Sequence, residues 1–212
     1  MRLVILGPQG AGKGTQSLRI AEKYDIPSIS TGEMFRWAIS TETEMGQEAQ
    51  EYVKRGRLVP NDVTIEVVRE RLEADDCEQG FLLDGFPRNL AQAEALDEIL
   101  ADQGFELDAA LVIEVPEEVS LRRLTGRRVC SRCGRNYSVG SPPTKDWVCD
   151  RCEGKVEARI DDQDEEAIRE RLKLYHEQTE PLKEYYESRG KLRTVSGEAS
   201  PDTVFDQIVE AL

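Results

Sequence analysis

A five-stranded parallel α/β sheet with helices on both faces is the fold that this 212-residue sequence predicts. Three observations carry that reading. Short apolar, β-like runs alternate with helix-periodic segments along the whole chain. The first run, Leu3-Val4-Ile5-Leu6, leads directly into Gly7-Pro8-Gln9-Gly10-Ala11-Gly12-Lys13-Gly14-Thr15 and then into a helical pattern. The length suits one α/β core with room for small inserted lobes.

In chain order, β-like runs fall at residues 3–6, 26–30, 81–84, 111–115 and 192–195. Helical patterns fall at 14–24, 33–55, 61–74, 89–101, 117–125, 164–189 and 201–212. Strands separated by helices pair in parallel through right-handed crossovers. Ligands then gather at the carboxyl ends of the strands. Gly7, Thr31, Gly85 and Pro116 each lie just past such an end. Two stretches interrupt the alternation. Residues 31–59 carry helical patterns with no strand between them, and residues 127–162 carry paired cysteines, Gly, Pro142-Pro143 and few apolar runs. Both read as lobes inserted into the sheet domain, and lobes that close over a substrate exclude water.

The glycine-rich stretch has the strand–loop–helix context of a phosphate-binding loop. Its glycines let backbone N–H groups turn inward, and the following helix N-terminus adds partial positive charge. Lys13 supplies a full charge for terminal phosphates. The usual loop has Ser or Thr directly after the Lys, where the hydroxyl holds Mg²⁺. Here Gly14 takes that place and Thr15 follows, which marks a subtype of P-loop enzyme. Asp84 ends its β-like run where such enzymes keep the carboxylate that orients Mg²⁺ through water. Arg36, Arg88, Arg123, Arg127, Arg159 and Arg171 recur at element ends around one predicted cleft. Fixed guanidinium groups stabilise the charge spread over transferring phosphoryl oxygens. Asp161-Asp162 has the form of a solvated charge run, as acidic pairs usually do, and the sequence leaves the roles of the two residues open. His176, the single histidine, reads as a surface or packing residue, so no histidine base is available.

Cys130 and Cys133 have two residues between them, as do Cys149 and Cys152, and fifteen residues separate the pairs. That spacing predicts tetrahedral S₄ ligation of zinc. With four protein ligands the ion is structural, replacing a core the lobe is too small to have. Cys77 stands apart and reads as a small buried side chain. The formal charge is −14, with eight Lys in the chain. Such a composition suits a salt-rich cytoplasm, where screening offsets self-repulsion. Residues 122–159 run against the trend, with ten basic and four acidic side chains. A basic lobe on an acidic body calls for an anionic ligand. No apolar run approaches the roughly 18 residues of a membrane helix. The chain enters a strand directly after Met1-Arg2, so no signal peptide is expected. A cytoplasmic monomer without nucleic-acid or membrane partners is the expectation.

On these motifs the chain resembles the adenylate kinase family, in its long form whose lid holds zinc. The likeness runs nearly end to end. It is strongest at Gly7 to Thr15, at Ser30-Thr31-Gly32-Glu33-Met34-Phe35-Arg36, at Gly80-Phe81-Leu82-Leu83-Asp84-Gly85-Phe86-Pro87-Arg88 and at Leu124-Thr125-Gly126-Arg127-Arg128, with Gln92 at the family's spacing. One departure is Gln9, since the family often has Pro directly before Gly10. The resemblance implies the Mg²⁺-dependent reaction ATP + AMP ⇌ 2 ADP. It implies that Gly10, Ala11, Gly12, Lys13, Gly14, Thr15, Arg123, Arg127, Asn136 and Tyr137 hold ATP. AMP would meet Thr31, Arg36, Arg57, Leu58, Val59, Gly85, Phe86, Pro87, Arg88, Gln92, Arg159 and Arg171. The catalytic set implied is Lys13, Asp84, Arg88, Arg127, Arg159 and Arg171. Residues 1–29, 60–125 and 163–212 would form the P-loop core, 30–59 the AMP-binding lobe and 126–162 the zinc lid. The nearest alternative is a GTP:AMP phosphotransferase, which a donor screen separates. Pyrimidine monophosphate kinases usually have short lids, and Thr31 with Gln92 favours adenine. An alternative of another class is a zinc-ribbon nucleic-acid-binding protein with an incidental P-loop, against which the net charge and the AMP-site set argue.

Overall fold

The computed structural model describes residues 1–55, 57–159, 162 and 164–212. Five strands, β1 (Arg2–Leu6), β2 (Ser28–Ser30), β3 (Phe81–Asp84), β4 (Ala109–Glu114) and β8 (Leu192–Ser196), form one parallel sheet in the order β2-β3-β1-β4-β8. The middle strands are apolar at nearly every position because both faces are covered. Alternation sorts their side chains between two layers. Val4, Leu6, Phe81, Leu83, Ala110 and Val112 pack against α4 (Asn61–Leu72), α5 (Leu90–Asp102) and α8 (Leu182–Glu187) through Val68, Leu96, Ile99 and Tyr186. Leu3, Ile5, Leu82, Leu111, Ile113 and Val195 face α1 (Lys13–Tyr24) and α9 (Pro201–Ala211) through Ile20, Val204 and Ile208. Each Val, Leu, Ile or Phe side chain among these, fully buried, contributes about 1.5–3 kcal/mol.

The predicted strands and helices are present, with boundaries moved for local reasons. β2 starts two residues later than expected. Asp25 takes a left-handed conformation, and Ile26 donates its N–H to Ala21 O (3.1 Å) to close α1. Pro27 then has no N–H to give a ladder. β4 starts earlier, because Ala109 pairs with Leu3 across the sheet.

Residues 33–55 form two helices rather than one, α2 (Thr31–Ser40) and α3 (Glu44–Lys54). The Thr43 hydroxyl caps α3 by accepting from Gly46 N (3.1 Å). Gly46 lies so close to α2 that a Cβ there would sit 2.1 Å from Ala38 O. Residues 164–189 also divide, into α7 (Glu165–Leu174), a π-helical turn at Tyr175–Thr179, and α8. Pro181 has no N–H, so the regular ladder cannot run through it, and Glu180 N bonds Tyr175 O (2.8 Å) in the wider turn.

Between α6 (Glu117–Gly126) and α7 lies a second sheet, antiparallel and three-stranded, in the order β6 (Asn136–Ser138), β5 (Arg127–Cys130), β7 (Val156–Ala158). The sequence predicted no strands here, since runs of three or four residues show no usable period. Its small core is Cys130, Cys149 and Val156, flanked by Cys133, Tyr137, Trp147 and Cys152. The other interrupting stretch has its own core of Phe35, Ala49 and Val59. Among the described residues no helix is long and apolar enough to cross a membrane.

Candidate active site

The loop between β1 and α1 crosses the end of β4. At Gly7 the chain adopts φ +141°, and a Cβ there would lie 2.3 Å from Ile113 O, so no other residue fits. α1 begins at Lys13 with Gly12 as its cap and no side-chain capping bond. Its first-turn N–H groups are therefore the anion-binding kind. Lys13 Nζ donates to Gly7 O (2.7 Å) and Pro8 O (3.0 Å). Burial lowers its pKa to about 8; Asp84 pulls the other way, while Arg88, Arg127 and Arg171 add to the lowering.

A single cavity of about 1080 Å³ opens above this loop, at the carboxyl ends of β1, β2 and β3. Gly10, Gly12, Lys13, Gly14, Thr15 and Arg123 line it on the loop side. Thr31, Arg36, Arg57, Leu58, Val59, Asp84, Gly85, Pro87, Arg88 and Gln92 line it beside β2 and β3. Asn136, Tyr137, Arg127 and Arg159 line it from the side of the small sheet, and Arg171 from α7. Two expected site residues do not line it. Ala11 and Phe86 are buried, and the Phe86 ring belongs to the main core.

Every arginine singled out in the sequence thus faces one space, and several are already held. Arg123 donates to Gly10 O (3.2 Å) and to Gly197 O (2.9 Å), tying the glycine loop to the segment after β8. Arg88 Nε donates to Gly85 O (2.8 Å), which also accepts from Thr31 Oγ1 (2.9 Å). Thr179 Oγ1 in turn donates to Arg88 O (2.7 Å). The small sheet comes close to the loop and to α2. The Cβ position of Gly14 is 3.7 Å from Asn136 Nδ2 and 3.9 Å from Asp84 Oδ2, and that of Gly134 is 3.9 Å from Glu33 Oε1.

Asp162 corrects the expectation of a solvated acidic pair. Its side chain is 2% exposed. It accepts from Arg127 Nε (2.6 Å) and Nη2 (2.8 Å), and from Arg171 Nη1 (2.9 Å). Two guanidinium groups converging on one cleft wall need a shared anion, and Asp162 supplies it. Burial and the Arg159 charge lower the Arg127 pKa, while the Asp162 hydrogen bond raises it. Asp161 lies outside the described residues. His176 is half-exposed beside Glu180 (2.8 Å) and Cys77 is buried, both as expected.

The four paired cysteines bring their sulfurs within 4.8 Å of one another. Cys130 and Cys152 Sγ are 3.4 Å apart, Cys133 and Cys149 Sγ 3.6 Å. Tetrahedral zinc with Zn–S near 2.3 Å needs sulfurs roughly 3.8 Å apart, so the cluster is compatible with zinc. Tyr137 Oη donates to Cys149 Sγ (3.3 Å) and accepts from Asp150 N (2.9 Å). Its hydroxyl therefore serves the cysteine cluster.

Two participants escaped the sequence reading. Asp162 was hidden by its acidic neighbour, although its position nine residues before Arg171 was a usable signal. Asn61, at the start of α4, carried none; it accepts from Gln92 Nε2 (2.9 Å) and from Asn89 Nδ2 (2.9 Å).

The adenylate kinase family model matches residues 5–191. The chain belongs to that family. It is 50% identical over 213 aligned residues to the adenylate kinase of Acetivibrio thermocellus, covering 100% of this chain and 98% of the relative. It is 51% identical to that of Thermodesulfovibrio yellowstonii, covering 100% and 99%. With that of a Geobacillus species it is also 51% identical over 100% and 98% of the two chains. This family member is therefore a nucleoside monophosphate kinase whose substrates are ATP, AMP and ADP.

Proposed function

We propose that the cleft carries out ATP + AMP ⇌ 2 ADP with the donor phosphates on the glycine loop and the acceptor beside Gln92. The observation that carries this division is Lys13. Its ammonium sits on loop carbonyls at the α1 N-terminus, and Arg88, Arg127, Arg159 and Arg171 surround the same cavity. In this reading Gly10 and Gly12 to Thr15 hold the ATP phosphates, and Arg123, Arg127, Asn136 and Tyr137 complete the donor side. Thr31, Arg36, Arg57 to Val59, Gly85, Pro87, Arg88 and Gln92 bind AMP.

The residues have little covalent chemistry to perform. They align acceptor oxygen and transferring phosphorus and stabilise charge on the equatorial oxygens. Lys13, Arg88, Arg127, Arg159 and Arg171 supply positive charge, with Asp162 holding Arg127 and Arg171 in fixed directions. Mg²⁺, when bound with ATP, neutralises part of the phosphate charge, and Asp84 at the end of β3 is the carboxylate suited to orient it through water.

Residues 30–59 act as the acceptor lobe and 126–162 as the lid, moving over a core of 1–29, 60–125 and 163–212. Zinc on Cys130, Cys133, Cys149 and Cys152 is structural, because four thiolates leave no coordination position for phosphate or water. The thiolates need a reducing compartment, which supports a cytoplasmic protein. One chain lines the whole cleft, so a monomer suffices. A coupled assay of ADP formation with ATP, GTP, AMP, GMP, CMP and UMP varied singly tests this reading. ATP with AMP is expected to be fastest by a wide margin; equal rates with CMP or UMP would refute the acceptor assignment.

A further inference from the structure

Gln92 is 1% exposed yet lines the cleft. A primary amide can be built either way round, but here backbone donors decide the orientation. The Arg88 N–H donates to Gln92 Oε1 (2.8 Å), so the oxygen must be on that side. The Gln92 N–H donates to Asn89 Oδ1 (3.0 Å), which makes Asn89 Nδ2 the donor to Asn61 Oδ1 (2.9 Å). Asn61 Oδ1 then also accepts from Gln92 Nε2 (2.9 Å). The chain of bonds is anchored at two main-chain N–H groups and closes on Asn61.

A glutamine amide has two N–H donors and two acceptor lone pairs on its oxygen. The bonds above use one of each and leave one of each for a base in the cleft. That pair matches adenine, which presents a ring acceptor beside an amino donor. Guanine presents the reverse, a ring N–H beside a carbonyl. To read guanine, Gln92 would have to turn over, setting its NH₂ against the Arg88 N–H and its oxygen against Asn61 Oδ1.

We propose that Asn61, which does not itself line the cleft, is a positioning residue that locks the Gln92 carboxamide in the adenine-reading orientation. The inference rests on the reading of Gln92 as the residue that meets the acceptor base. Asn61 is exposed at the start of α4 and follows the capping Pro60, so substitution there leaves the core intact.

The test compares AMP and GMP as acceptors in Asn61→Ala, Asn61→Asp and Gln92→Ala, with KM and kcat resolved and melting temperature measured alongside. Asn61→Ala removes one of two anchors. It should raise KM for AMP and lower the AMP-over-GMP preference in kcat/KM by about fivefold to tenfold, the worth of one hydrogen bond. KM for ATP should stay within twofold. Asn61→Asp keeps an acceptor for both amide donors and should retain the preference. An unchanged preference in Asn61→Ala, with Gln92→Ala losing it, overturns the role of Asn61. Loss in both Asn61 variants assigns the effect to the helix start and also overturns it. Unchanged preference in Gln92→Ala rejects Gln92 as the base reader, and the acceptor-site reading falls with it.

Discussion

Lys13 carries the donor side of the proposed function, and its surroundings give it a measurable signature. Burial lowers its pKa to about 8 in the nucleotide-free protein. Below that pH the ammonium is charged and attracts phosphate; above it the charge is lost. The value of kcat/KM for ATP should therefore fall as pH rises through about 8. Bound phosphates favour the charged form, so the corresponding limb of kcat should lie at higher pH. A kcat/KM profile flat from pH 7 to 9.5 would remove Lys13 from donor binding. Lys13→Met should lower kcat by roughly 10²–10³ while circular dichroism stays native, the usual loss of one charge-stabilising group, about 3–4 kcal/mol. Asp162 belongs to the same scale. Asp162→Ala would leave Arg127 and Arg171, 19% and 9% exposed, without their shared anion. A stability loss of about 3 kcal/mol is expected in urea unfolding, since Arg127 loses both of its hydrogen bonds to the buried carboxylate. A loss below 0.5 kcal/mol would mean that water replaces the carboxylate.

Elements answer to contacts that no single residue reveals. The break between α2 and α3 brings Gly46 against the Ala38 carbonyl with no room for a methyl group. Gly46→Ala, ordinarily favourable inside a helix, should instead destabilise by about 2–3 kcal/mol through overpacking. Equal or higher thermal stability would show that α3 can slide freely on α2. In the small sheet, the cysteine cluster is most of the core. Elemental analysis should find about one zinc per chain, and chelation should lower the melting temperature because metal binding is coupled to folding of such a lobe. Tyr137→Phe removes the hydroxyl that donates to Cys149 and should weaken zinc retention about tenfold in chelator competition. Phosphoryl transfer should largely survive zinc removal wherever the lobe stays folded. Loss of the chemical step with the lobe demonstrably folded would give the ion a different role.

At the scale of the whole molecule, charge is separated rather than merely abundant. The chain carries −14 formally while residues 122–159 are positive. Self-repulsion on the acidic body weakens when ions screen it over about 10 Å at 0.1 M salt and about 3 Å at 1 M. The melting temperature should therefore rise as NaCl goes from about 0.1 to 1 M. A fall over that range would show that attraction between the basic lobe and the acidic body outweighs the repulsion.

What could be read from the chain alone was whatever depends on local order. The glycine loop, the strands of the large sheet and the cysteine pairs are contiguous patterns, each with its own chemistry. The fold class was legible for that reason, and most of the site residues expected from the sequence do line the cleft. The arginines were legible too, since so many at element ends of a doubly wound sheet must converge on its carboxyl edge. Contacts between segments far apart in the chain were not. Asp162 looks like any acidic residue until Arg127, 35 positions away, folds onto it. Asn61 and Gln92 are 31 positions apart and meet only because α4 and α5 start side by side. The small sheet has strands too short to carry a period, and its four cysteines become neighbours only once its turns are folded. Sequence determines which groups are available; tertiary packing decides which of them are held, in which orientation, and facing what.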